Sequence, residues 1–295
     1  MKTIIVALLF TLAGMTAQAK LNVVATTPEL AAIARDVGGD RVEVVSLAKP
    51  TEDPHFVDPK PSFVVKLAHA DVLVEGGAEL EIGWLPPLLE GARNPKLTRI
   101  AIAPGVQLLE VPTALDRSKG DVHAMGNPHF MTDPVNAQIA AQRIADGLAK
   151  ADAAGAKTYQ AKLAKFNARI ETKMAEWKKL LAPFAGKQVV AYHNTWPYFG
   201  ERFGLKIDLF LEPKPGIPPT PASLSEVITK MKADNLRVVI VEPYQSRKTA
   251  ATVAAETGAA IVPVAQYPGG VKDTDGGYVE LIDYLVKAIA KGLAK

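Results

Sequence analysis

The sequence predicts an α/β protein built as two similar lobes with mainly parallel sheets, joined by one long interlobe helix. Three observations carry that expectation. Short apolar, β-branched runs alternate with helical stretches along the chain. They fall into two sets of four. Between the sets lies one uninterrupted amphipathic pattern. Most of the runs lack polar–apolar alternation, as strands buried on both faces do, and such strands interleaved with helices make parallel sheets.

The elements follow in order. Met1-Lys2 is a positive start, an apolar run covers 4–13, and Ala17-Gln18-Ala19 is a small-x-small triplet. Residues 1–19 therefore read as a secretory signal peptide, with the mature chain starting at Lys20. The run is too short to span a bilayer, and no later segment is long enough, so no direct membrane insertion is expected. The first lobe is expected over 20–133, with strands at 21–25, 42–47, 72–74 and 98–102. Thr132-Asp133-Pro134 is a helix start, a capping side chain followed by proline, and that helix should run to about Ala151. Ala154-Gly155 breaks it. Tyr159, Leu163, Phe166, Ile170, Met174, Trp177 and Leu181 then recur at steps of three and four, the apolar face of a single helix. Its roughly 27 residues would span on the order of 40 Å, the length of the molecule. Residues 134–185 read as linking helices. The second lobe, 186–295, has strands expected at 188–192, 207–211, 238–241 and 260–264.

Composition narrows the function. Apolar residues make up 48%, enough for a sizeable core in each lobe. The formal net charge of +3 comes without a basic stripe or interleaved aromatics, so nucleic acid is not an expected partner. There is no cysteine. That excludes disulfides, thiolate metal ligands and a lipid-attachment cysteine, and points to a protein free in a bacterial periplasm. Any metal must then be held by nitrogen and oxygen.

Three of the five histidines sit in similar, turn-rich settings: Asp53-Pro54-His55-Phe56, Asn127-Pro128-His129-Phe130 and Ala191-Tyr192-His193-Asn194. Residues so far apart in sequence meet only through the fold. Three neutral imidazoles gathered by a fold suit a borderline transition metal, zinc above all. His193 directly follows an expected strand, and His55 lies in a proline-stiffened loop after another. Ligands of open α/β sheets bind beyond the carboxyl ends of strands. The expected site is therefore the cleft between lobes, with two histidines from the first lobe and one from the second.

With these motifs in order, and with Asp133-Pro134 and Trp196-Pro197-Tyr198-Phe199 beside them, the whole mature chain resembles the zinc/manganese solute-binding proteins of bacterial ABC importers. The resemblance implies two pseudo-related lobes, one metal at their interface and delivery to a membrane permease. Carried over by position, the metal-binding histidines are His55, His129 and His193. One feature departs from the family. Many members have a metal-binding aspartate after the last core strand, whereas this chain reads Ala265-Gln266-Tyr267-Pro268-Gly269-Gly270, with Asp273 and Asp275 only later. Glu242 is the candidate fourth ligand, with water or Glu212 otherwise. An ion pair of Glu242 with Arg247 or Lys248 is the structural alternative. The missing aspartate favours Zn2+, with Mn2+ or another divalent ion as the alternative cargo.

His123 is expected to be a loop histidine, with an auxiliary metal role as the alternative. His69 is expected at an exposed helix end. The glycine-rich segment 269–277 and the loops of His55 and His129 are the expected moving parts. A zinc hydrolase or hydratase and a non-metal receptor or adhesin of the same fold are the competing functions. The first lacks a His-Glu-x-x-His helix and an acid beside a ligand as general base. The second makes three matched histidines an accident. A monomer is expected.

Overall fold

The computed structural model describes residues 19–114, 123–212 and 216–295. The signal peptide read over 1–19 lies outside these residues, but for its last position.

Each lobe carries one four-stranded parallel sheet. In the first, β1 (Leu21–Ala25), β2 (Val42–Ser46), β3 (Val72–Glu75) and β4 (Thr98–Ala101) line up in the order β2-β1-β3-β4. In the second, β5 (Gln188–Ala191), β6 (Lys206–Phe210), β7 (Val238–Val241) and β8 (Ala260–Pro263) repeat that order as β6-β5-β7-β8. Every pairing is parallel. The inner strands Val-Leu-Val-Glu and Val-Val-Ile-Val are buried at every position, which is why their sequences are continuous runs. In both sheets the chain reverses its winding between the first and third strands. That switch point opens a crevice at the carboxyl ends of the strands, where ligands of such sheets bind.

Helices cover the sheets: α1 (Pro28–Gly38), α2 (Pro61–Ala68) and α3 (Leu85–Ala92) in the first lobe, α6 (Pro197–Phe203), α7 (Pro221–Ala233), α8 (Arg247–Thr257) and α9 (Tyr278–Leu293) in the second. Between the lobes run α4 (Pro134–Ala151) and α5 (Ala156–Leu181). Asp133 caps α4 by accepting the Val135 N–H, with Pro134 in the first turn. Asp152 and the short turn Ala153–Gly155 separate the two helices.

Helix α5 makes the lobes one body. Its buried residues Tyr159, Leu163, Phe166, Ile170, Trp177 and Leu181 join a single apolar core that runs from Val23 and Ala25 in β1 to Ala191 in β5 and Ile289 in α9. Two smaller clusters fill the outer faces of the sheets. Polar ties reinforce the join. Arg169 of α5 reaches Asp36 of α1 at 3.6 Å and Glu280 of α9 at 2.8 Å. Arg202 of α6 grips the Asp133 carboxylate with two bonds of 2.8 and 2.7 Å. The Tyr278 hydroxyl donates to the Met131 carbonyl.

The glycine-rich segment is better anchored than its composition suggests. Thr274 is fully buried, accepts the Gly269 N–H and donates to the Val271 carbonyl. A Cβ on Gly270 would lie 2.7 Å from the Pro50 carbonyl of the first lobe. The segment is thus a close contact between lobes that only glycine allows. Among the described residues, no helix is long and apolar enough to cross a membrane.

Candidate metal centre

Three loops bring the three histidines together. His55 lies between β2 and α2, where the Trp84 indole holds the loop by donating to the Pro54 carbonyl at 2.9 Å. His129 precedes the turn Phe130–Thr132 that leads into α4, with Phe130 fully buried as its anchor. His193 sits two residues past β5, at the switch point of the second sheet. The ring centroids lie 5.1 Å (His55–His129), 5.5 Å (His129–His193) and 5.9 Å (His55–His193) apart. One nitrogen from each ring lies within 4.8 Å of the others. The site is shielded, with His129 4% exposed and the His55 and His193 side chains 8% and 12% exposed.

Each ring is oriented by an oxygen behind it. Asp53 Oδ1 accepts both the His55 backbone N–H (3.0 Å) and its ring Nδ1 (2.9 Å). Asn127 Oδ1 does the same for His129, at 3.0 Å each. The two Asx-Pro-His triplets are one device used twice: the Asx oxygen turns back on the residue two positions on. Asn127 can face only one way, because its amide nitrogen donates to Glu110 and to the Asn194 carbonyl, both at 2.9 Å. In the second lobe Glu212 Oε1 lies 3.1 Å from His193 Nδ1 and also accepts the Gly216 N–H. With an acceptor behind each Nδ1, the Nδ1 proton points outward and the Nε2 lone pair points into the cleft. This is the arrangement that fixes tautomer and aim in metal-binding histidines.

The electrostatics agree. Burial, and then the charges of the other three histidines, hold the His129 pKa well below its ordinary 6.5, so His129 stays neutral. Its Nε2 is a buried nitrogen with no hydrogen-bond partner. Leaving such an atom unpaired costs about 1–3 kcal/mol, and a cation in the cleft would satisfy it. Burial tends to raise the Asp53 pKa, but the bonds and charge of His55 outweigh it, and the carboxyl sits below its usual 3.8. An ionised Asp53 behind His55 offsets positive charge in front of it.

The other candidates are placed differently. Glu242 follows β7 and is buried, and its Oε1 accepts the Trp196 indole N–H at 2.8 Å. Burial pushes its pKa up to about 8, against the lowering effect of its hydrogen bonds. Its oxygens do not join the group formed by the three histidine nitrogens. Glu212 stands behind His193. His69 caps the end of α2 in an exposed position, as expected. His123 is not an ordinary loop residue: its Nε2 lies 3.1 Å from His55 Nε2, with the two rings stacked. The supporting roles of Asp53, Asn127 and Glu110 are additions from the structure, although the repeated Asx two residues before histidine is a visible sign of the first two in the sequence. Glu110 carried no such sign; it joins Asn127 to Asn194 across the lobes.

The model of the ZnuA family, zinc-uptake complex component A, periplasmic, matches residues 23–292. This chain belongs to that family. Its relatives include MtsA, the iron ABC transporter substrate-binding lipoprotein of Streptococcus pyogenes serotype M1, 27% identical over 94% of this chain and 90% of MtsA. The metal ABC transporter substrate-binding lipoprotein ScbA of Streptococcus cristatus is 26% identical over 95% of this chain and 91% of its own. A crystal structure of ZnuA superposes with a TM-score of 0.80 at 27% identity, covering 92% of this chain and 99% of that one. The Mn-bound periplasmic metal binding protein of Candidatus Liberibacter asiaticus shares the fold, with a TM-score of 0.77 at 21% identity over 93% of this chain and 100% of that one. The family is one of substrate-binding proteins of metal ABC transporters.

Proposed function

We propose that this protein captures one divalent transition metal ion in the periplasm, zinc by preference, and delivers it as a monomer to the permease of an ABC importer. The ion is held by the Nε2 atoms of His55, His129 and His193. The observation that carries this reading is the orphaned Nε2 of buried His129, facing two further imidazoles that are each backed by an oxygen acceptor. Zinc takes three imidazole nitrogens readily, whereas manganese prefers a site rich in carboxylate and water oxygen. The family's zinc-uptake description agrees with the donor set, and the iron named for MtsA marks the competing cargo. The carboxylates nearest the rings are engaged behind them, so the three histidines leave one tetrahedral position to fill.

Competition titration against a chromophoric chelator tests the cargo. The expected result is one site per chain that binds zinc orders of magnitude more tightly than manganese. Equal or stronger binding of manganese would overturn the zinc assignment.

A further inference from the structure

The structure gives His123 a position that the three-histidine reading does not use. Its Nε2 lies 3.1 Å from His55 Nε2, and the ring centroids are 5.1 Å apart at 30°. Asp53 Oδ1 already acts as an acceptor behind His55, from the backbone N–H and from Nδ1. His55 Nε2 therefore carries its lone pair, and His123 Nε2 is the donor in this pair. The nitrogen of His123 is aimed at the same point in space where a metal would meet His55. In a tetrahedral zinc site with bonds of 2.0–2.1 Å, neighbouring nitrogens are about 3.3 Å apart. The His55–His123 separation already comes close to that edge.

The loop that carries His123 is shaped to present it. Ala124 N–H donates to Glu79 Oε2 at 2.6 Å, and Gly126 N–H turns back to the His123 carbonyl at 3.2 Å. Gly126 has a φ of 114°, and a Cβ there would lie 2.7 Å from the Leu109 carbonyl oxygen, which accepts the Asn127 N–H at 2.8 Å. Only glycine fits this turn. It folds the segment so that His123 and His129, six residues apart, approach the cleft from one loop. His123 stands just outside the group of three nitrogens within 4.8 Å, on the His55 side.

Resting on the metal-capture reading above, we propose that His123 supplies the fourth ligand. Its Nε2 swings inward from the hydrogen bond with His55 to complete the tetrahedron. In this step the neutral ring changes tautomer: Nε2 gives its proton to solvent and Nδ1 takes one up, so that the imidazole stays neutral and offers its Nε2 lone pair to the ion. His123 then completes the site around its cargo, and withdrawal of this one side chain opens it for release.

X-ray absorption of the zinc-loaded protein tests the assignment by counting imidazoles, with His123→Ala and His69→Ala beside the unaltered chain. The expected count is four imidazoles in the unaltered chain and in His69→Ala, and three plus an oxygen in His123→Ala. His123→Ala should still bind one zinc, because three histidines remain. Its zinc should pass to a chelator faster, by at least the about tenfold that loss of a mere supporting contact costs. The cobalt-substituted form should show the same change in its visible spectrum, and added imidazole should reverse it. Three imidazoles in the unaltered chain, or a His123→Ala protein with unchanged release rate and cobalt spectrum, would overturn the proposal. A chain that bound no zinc at all would instead overturn the metal-capture reading on which it rests.

Discussion

Asp53→Ala is the most informative single perturbation of the centre, because Asp53 touches His55 and never the cargo. Removing its Oδ1 deletes two hydrogen bonds, at 2.9 Å to the ring and 3.0 Å to the backbone. The ring then loses both its tautomer control and its aim. Loss of such a supporting group costs about 10–100-fold in metal affinity, or roughly 1.4–2.7 kcal/mol. The consequence for stability follows from linkage. With free zinc at 1,000 times the dissociation constant, binding stabilises the native protein by about 4.1 kcal/mol; a 100-fold loss leaves about 1.4 kcal/mol. For a chain of this size the difference is roughly 5–10 °C in Tm. The quantity to measure is the zinc-induced shift in Tm by calorimetry, at one fixed zinc concentration. The metal-free Tm of the variant also drops, since each lost bond contributes about 0.5–1.5 kcal/mol, so only the shift is compared. Asp53→Asn keeps an acceptor and should lose less. A zinc-induced shift in Asp53→Ala equal to that of the unaltered chain would refute the idea that this oxygen prepares His55.

Three further expectations rest on other residues. His129 is held neutral by burial, so an unfolded chain takes up a proton below about pH 6.5 that the folded chain refuses. Its contribution to metal-free stability is present above that pH and lost as pH falls, and zinc affinity should fall steeply over the same range; flat affinity down to about pH 5 would contradict it. Glu242 behaves oppositely: with its pKa raised from 4.5 to about 8, the folded state keeps a proton that the unfolded state has released, and stability declines as pH rises through that window. Glu242→Gln should therefore gain stability relative to the unaltered chain between urea melts at pH 5.5 and 8.5, and an unchanged difference would refute this. Because α5 and the common core bind the lobes together, small-angle scattering should give the same radius of gyration with and without zinc, and a shift as large as that of a freely hinged receptor would contradict the rigid join.

Much of this was legible in the chain. The eight strands lie where apolar β-branched runs predicted them: β7 is buried at every position and apolar throughout, while the edge strands β2, β4, β6 and β8 are partly exposed and keep β-branched or apolar residues beside their polar ones. The apolar face of α5 was readable from Tyr159 to Leu181 at helical spacing. The convergence of His55, His129 and His193 was suggested by their matched settings and by the resemblance to a family. What stayed hidden was long-range placement of polar groups. Nothing local in the sequence says that Glu242 turns to the Trp196 indole, that Glu212 stands behind His193, or that Glu110 ties Asn127 to Asn194. These contacts join residues 17 to 84 positions apart; those of Glu242 and Glu212 depend on how the second lobe folds, and that of Glu110 with Asn194 on how the lobes meet. The place of His123 is hidden for the same reason: its meaning comes from a ring 68 positions away. The segment 269–277 was expected to be loosely held because it is rich in glycine. Gly270 is there because Pro50 of the first lobe and Ala265 of its own lobe leave no room for a side chain.

Metal content tests the central claim most directly. The unaltered chain and His129→Ala are purified from periplasm in parallel, without added metal or chelator, and analysed by elemental mass spectrometry. His129 is the residue to remove, because its buried, unpartnered Nε2 is the atom that most needs a cation. The predicted result is one zinc per unaltered chain and none in a folded His129→Ala protein. An unaltered chain without transition metal, or a His129→Ala protein that retains a full equivalent of zinc, would contradict a site built on these three histidines.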